Sequence, residues 1–69
     1  MEVSARNQIK GMVKELNADQ VMAEVVITLA GGTELVSVIT AASAKRLNLA
    51  VGKEITIVIK STDVMLASE

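Results

Sequence analysis

Two short polar runs hold most of the chemistry available to this chain. Ser4-Ala5-Arg6-Asn7-Gln8 stands near its start, and Lys60-Ser61-Thr62-Asp63 stands near its end. Each offers one permanent cation beside hydroxyl or amide donors, on a segment whose backbone N–H groups need not be committed to a sheet. A tetrahedral dianion is satisfied by such a set: two positive charges, several N–H and O–H donors, and few acceptors nearby. Arg can grip two oxygens at once, whereas Lys acts as a compact point charge. The plainer reading is two solvated strand ends, with Asp63 paired to Lys60 or Arg6 at the surface. Residue types and spacing alone leave both readings open.

The rest of the inventory narrows the function classes. The 69 residues include no His and no Cys. That removes the commonest general base, thiol nucleophiles, disulfides and zinc ribbons. No catalytic constellation is visible, so neither enzyme activity nor a cofactor is expected. Seven Lys and Arg against eight Asp and Glu give a net charge of −1, with no basic excess to attract a polyanion. Without Phe, Tyr or Trp there is also no stacking platform, so nucleic acid is not an expected partner. No apolar run approaches the roughly 18–20 residues of a membrane span, and the N-terminus shows no signal-peptide pattern. The expected setting is the cytoplasm, with no membrane partner.

The elements that must position the two polar runs read as strands. A chain of this length is one domain, here 1–69, near the lower limit of what folds alone. Val, Ile and Thr favour β-structure. Residues 9–16 form a first strand, in which Gly11 marks a bulge or a close approach. A turn over 17–19 leads to a second strand, 20–29, whose odd positions Val21, Ala23, Val25, Ile27 and Leu29 are all apolar. Gly31-Gly32 supplies a two-residue hairpin turn. The third strand, 34–40, places Leu35, Ser37 and Ile39 on one face and Val36 and Val38 on the other.

Thr40 then caps a short helix over 41–47, with Lys45 and Arg46 in its last turn and Asn48 as a left-handed stop. Gly52 turns the chain into a fourth strand, 54–60, and a short fifth strand over 64–66 closes the order. Three strands, a short helix and two more strands match a five-stranded barrel of the oligonucleotide/oligosaccharide-binding (OB) type, with a small SH3-like barrel as the near alternative. Met22, Val26, Val36, Val38 and Val58 fall on a second face that one barrel interior cannot cover. They predict a subunit contact, and therefore an oligomer.

With these elements in place, a family pattern emerges. Ser-Ala-Arg-Asn-Gln near the start, a Gly-interrupted strand, Ala-Glu-Val-Val at 23–26 and Lys-Ser-Thr-Asp-Val-Met at 60–65 occur in order. Together they resemble the molbindins, small molybdate-binding proteins built from one Mop (TOBE-type) domain, over nearly the whole chain. The resemblance implies oxyanion contacts from Ser4, Arg6, Lys60 and Ser61, helped by backbone N–H groups of Ala5, Arg6 and Asn7. It also implies a homo-hexamer, a trimer of dimers, with molybdate or tungstate held between subunits. A second type of site near the three-fold axis is a family feature. On physical grounds Thr40, Ala41, Ala42 and Ser43, at a helix N-terminus, are its best candidates.

The function expected from these lines is intracellular molybdate binding, for storage and homeostasis. Two other classes compete with it. A nucleic-acid-binding barrel would need aromatic residues on its second and third strands and a basic groove. A regulatory interaction module would need an attached effector domain to act on.

Overall fold

The computed structural model describes residues 3–69. Their order is β1 (Asn7–Ala18), β2 (Met22–Leu29), β3 (Glu34–Thr40), α1 (Ala41–Arg46), β4 (Glu54–Ile59) and a single 3₁₀ turn, Ser61–Asp63. The strands make one antiparallel sheet in the order β3-β2-β1-β4. Ile39 of β3 and Ile55 and Ile57 of β4 pack against the same core, Val13, Val25 and Ile27, although their strands lie at opposite edges. The sheet therefore curls around that core, giving an all-β, OB-like shape with one short helix after the third strand. No helix among the described residues is long and apolar enough to cross a membrane.

β2 is the most deeply covered strand because it pairs on both sides. Its inward residues Ala23, Val25 and Ile27 are essentially inaccessible, as the alternating pattern requires. Val21 departs from that pattern: it precedes the strand and is exposed. The turn before β2 begins at Asp19 rather than Asn17. The Asp19 carboxylate accepts the N–H groups of Val21 at 2.7 Å and Met22 at 2.8 Å. These bonds, that of Met22 foremost, hold its pKa below the ordinary value.

β1 contains a bulge, at Lys14 rather than Gly11. Val13 pairs with Ile27 and Glu15 with Val26, so Lys14 is the extra residue. The bulge shifts the inward parity from Gly11 and Val13 to Leu16 and Ala18, so the apolar positions keep facing the core. Lys14 itself reaches across β2 to Glu34 on β3, and that hydrogen bond and charge raise its pKa.

The β2–β3 hairpin is wider than the expected two-residue turn. The Gly32 N–H bonds Leu29 O at 3.0 Å and the Leu29 N–H bonds Thr33 O at 2.7 Å, which makes Ala30, Gly31 and Gly32 a three-residue loop. Both glycines have φ near +90°, so the need for glycine there stands. The helix is capped as its residues predict. Thr40 accepts from the Ser43 N–H, and Asn48 takes φ 53°. Asn48 N–H to Lys45 O and Leu49 N–H to Ala44 O complete a Schellman motif.

One expected element does not form within the chain. Residues 64–66 make no strand, and Met65 and Leu66 are each 93% exposed. The Asp63 N–H bonds Lys60 O at 2.9 Å, curling the segment out of line with β4 before those residues are reached. The sheet is thus four-stranded rather than five-stranded, and β3 and β4 each keep a free edge. The second face emerges largely as read. Met22, Val36, Val38 and Val58 are exposed, while Val26 is buried beside its neighbours. Among the described residues, seven hydrophobic side chains are buried and thirteen large ones are exposed, a poor balance for a finished unit.

Gly11 is a close-approach point. A Cβ built there would stand 2.5 Å from Ile27 Cγ2 and 3.1 Å from both Leu29 Cδ2 and Thr28 O. Ile27 is β-branched and locked in the core, so it has little room to yield. Gly11→Ala gains about 0.5–1 kcal/mol of chain entropy, but overpacking costs about 1–3 kcal/mol and prevails. Urea denaturation is expected to show a net loss of stability in this variant.

Candidate functional site

The two polar runs sit at one end of the β1/β4 ladder. Asn7 pairs with Ile59 and Gln8 with Val58. Arg6 and Lys60 therefore leave the sheet one position beyond the same rung, with Ala5 and Ser61 following. Sequence alone left open whether Arg6 and Lys60 could meet within one chain; the register brings their backbones together in one. The Asn7 side chain ties the strands, donating from Nδ2 to Ile59 O at 3.3 Å across 52 positions of chain. Gln8 Nε2 donates to Ala5 O at 3.3 Å and helps shape the approach to β1.

Donors are available at this end. Ser4, Arg6, Lys60 and Ser61 are exposed, and Ala5 and Asn7 are half-buried. Among the described residues, no backbone acceptor takes the N–H of Ala5, Arg6, Ser61 or Thr62. The surface pairing considered for Asp63 is absent: the one ion pair among the described residues is Lys14–Glu34. The cluster thus combines two cations with uncommitted N–H and O–H groups, the donor set of an oxyanion site. It is a shelf rather than a pocket, because both cations face solvent. On such a shelf water competes for every donor, and exposed charge pairs contribute little.

The Thr40, Ala41, Ala42 and Ser43 segment is separate from this end, and several of its donors are already paired. Ala41 N–H bonds Val21 O at 2.8 Å, Ser43 N–H bonds Thr40 Oγ1 at 3.1 Å, and Thr40 Oγ1 donates to Ser43 Oγ at 2.8 Å. Arg46 Nη2 adds a donor to Ser43 Oγ at 2.9 Å. One polar role escaped the sequence reading. Lys53 Nζ donates to the carbonyls of Leu47 at 2.6 Å and Asn48 at 3.3 Å, closing the helix C-terminus from the start of β4. No local motif signals it, because the contact depends on how the 49–53 loop returns.

The TOBE-domain profile matches residues 3–66. The chain belongs to the TOBE family. Within that family it stands with the Mop-type molbindins. It is 48% identical over 66 residues to molybdenum-pterin-binding protein 1 of Clostridium pasteurianum, covering 96% of this chain and 97% of that one. A molybdate-binding protein from Sporomusa ovata has nearly the same structure. Its TM-score is 0.92 at 37% identity, covering 99% of this chain and 100% of the other. The molybdenum transport protein ModE of Azotobacter vinelandii is 48% identical over 69 residues, which are all of this chain and 26% of that protein. The same domain thus occurs both nearly alone and as about a quarter of a longer protein.

Among the described residues, the Asn7–Ile59 bond is the one side-chain link across the site end of the ladder, which makes it testable. Asn7→Ala is expected to lower stability by about 1 kcal/mol, the usual net worth of a hydrogen bond. Amide exchange at the β1/β4 end should quicken while exchange across β2 and β3 stays unchanged. Equal quickening throughout the sheet would show that the bond has no local role.

Proposed function

We propose that this protein binds molybdate, and tungstate in the same way, as a cytoplasmic store that buffers the free anion. The observation that carries this reading is the Asn7–Ile59 register, which sets Arg6 and Lys60 at one end of one ladder. Ser4, Ser61 and the N–H groups of Ala5 and Arg6 complete the donor set, while Asn7 is held in the ladder opposite Ile59. Relatives named for molybdenum and molybdate support the choice of anion. Thr40, Ala41, Ala42 and Ser43 stand apart as the candidate second site, although the helix cap takes Thr40 Oγ1 and the Ser43 N–H.

The shelf becomes a strong site only if something dries it. A homo-oligomer does so, with the anion held where a second subunit walls off Arg6 and Lys60 from water. The exposed Val and Met residues of the second sheet face give such an assembly its apolar contacts, and a hexamer built as a trimer of dimers is the form proposed. Each chain carries −1, so the assembly is itself anionic and long-range attraction does not serve capture. Local donors must do so.

Donor-only chemistry also sorts anions. Molybdate is an unprotonated dianion at neutral pH and meets every donor with an acceptor. Protonated phosphate presents an O–H that finds no acceptor, which is costly in a desolvated site. Sulfate is unprotonated too, so size must exclude it.

Calorimetry with the three anions tests this reading. Molybdate is expected to bind, with sulfate and phosphate far weaker; equal heats for all three would overturn it. Arg6→Ala and Lys60→Ala should each weaken molybdate about 10- to 100-fold, in line with about 1.5–3 kcal/mol for a charge-assisted hydrogen bond. The assembly mass should be unchanged in both variants. Wild-type affinity in both would place the site elsewhere.

A further inference from the structure

Ahead of Asn7 the sheet no longer holds the chain. Asn7 opens the β1/β4 ladder, and Arg6 lies one residue before it. Among the described residues no backbone donor reaches the Ala5 carbonyl, and no backbone acceptor takes the Arg6 N–H. These two groups are opposite ends of one peptide unit. Because that unit is planar and trans, its C=O and N–H point in opposite directions. Whatever fixes the oxygen also fixes where the N–H is aimed.

One side chain does this. Gln8 Nε2 donates to Ala5 O at 3.3 Å, reaching back three residues from an exposed strand position. An exposed amide can satisfy itself with water, so solvation alone does not turn Gln8 back onto the approach to its own strand. The facing strand carries the same device. Asn7 Nδ2 donates to Ile59 O, and that oxygen belongs to the peptide unit bearing the Lys60 N–H. Two consecutive amide side chains thus hold the carbonyls just before the two cations. Their importance differs, because Ile59 also has its rung opposite Asn7, whereas Ala5 has none.

We infer that Gln8 is a positioning residue of the anion site. It does not touch the anion; it holds the Ala5–Arg6 peptide so that the Arg6 N–H is aimed at an oxyanion oxygen before the anion arrives. This inference deepens the proposed function and rests on it. A donor fixed in advance needs no reorganisation on binding. A peptide whose oxygen already accepts a hydrogen bond is also polarised, which strengthens its N–H as a donor. The guanidinium of Arg6 swings on a long stem, so the fixed direction at this position comes from its backbone.

Gln8→Met tests the inference, since it keeps the side-chain length and removes the amide donor without adding charge. Calorimetry with sodium molybdate should show affinity about 3- to 10-fold weaker, the range set by one hydrogen bond. The urea midpoint and the mass by light scattering should stay at the wild-type values. In ¹⁵N-labelled protein the Arg6 amide proton should move downfield on saturation with molybdate, and by less in the variant. The order parameter of the Arg6 amide without the anion should also fall in the variant, while those of Ile57 and Val58 hold. Wild-type affinity in Gln8→Met, or an Arg6 amide equally ordered and equally shifted in both proteins, would overturn the positioning role. Weaker binding that merely tracks a lower urea midpoint, with the Arg6 amide unchanged, would overturn it too. No molybdate binding by the unsubstituted protein overturns the proposed function and this inference together, whereas normal binding with an indifferent Gln8→Met overturns the inference alone.

Discussion

β1 has to satisfy two neighbours at once, and the rest of the structure depends on it doing so. Its first half pairs with β4 and its second half with β2, with Gly11 and Met12 taking part in both ladders. Gly11 leaves room for Ile27 to enter the core from β2, and Val13 carries the core past that point. On the other side, the Val13 N–H bonds Lys53 O and its C=O accepts from Gly52, so the loop before β4 is fastened to the same residue. Because β4 is held in this way, its far end reaches Asn7. The meeting of Arg6 and Lys60 is therefore a result of core packing rather than of any attraction between two cations.

Much of this was legible in the residues. The alternation through β2, the bounds of β3, the Thr40 cap and the Asn48 stop all arise from short-range rules, and the structure follows them. Where the reading departed, the cause was long-range or a matter of parity. The bulge at Lys14 is written in the parity shift from Gly11 and Val13 to Leu16 and Ala18, whereas glycine, the usual marker of a bulge, stands at position 11. The width of the Gly31-Gly32 loop depends on one bond from Leu29 to Thr33 that neither glycine encodes. Segment 64–66 has the composition of a strand, yet a strand needs an edge, and composition does not say whose edge. The candidate site divides in the same way. Its residue types were evident in two runs, while their convergence needed the register of β4.

The chain's chemistry and its economy of apolar residues are linked. A core of Val, Ile and Ala without aromatic anchors covers little surface, and it leaves Val, Met and Leu side chains in solvent on several faces. In the assembly proposed above, those faces would supply the contacts. The proposed oxyanion shelf has the complementary need, since its donors gain strength only where water is excluded. A protein that hides its apolar surplus against copies of itself can dry its polar edge in the same step.

The bulge at Lys14 divides β1 into two phases. Pairing with β4 is confined to residues up to Met12, and the shifted pairing with β2 begins at Glu15. A change of length in the turn after Ala18, or a rearrangement of the helix it packs near, can be absorbed at the bulge before it reaches Asn7. The strand works as a clutch: a shift at the helix end is taken up at Lys14 while the cation-bearing end keeps its alignment. A domain built this way can be placed in longer proteins and altered at one end without retuning the other.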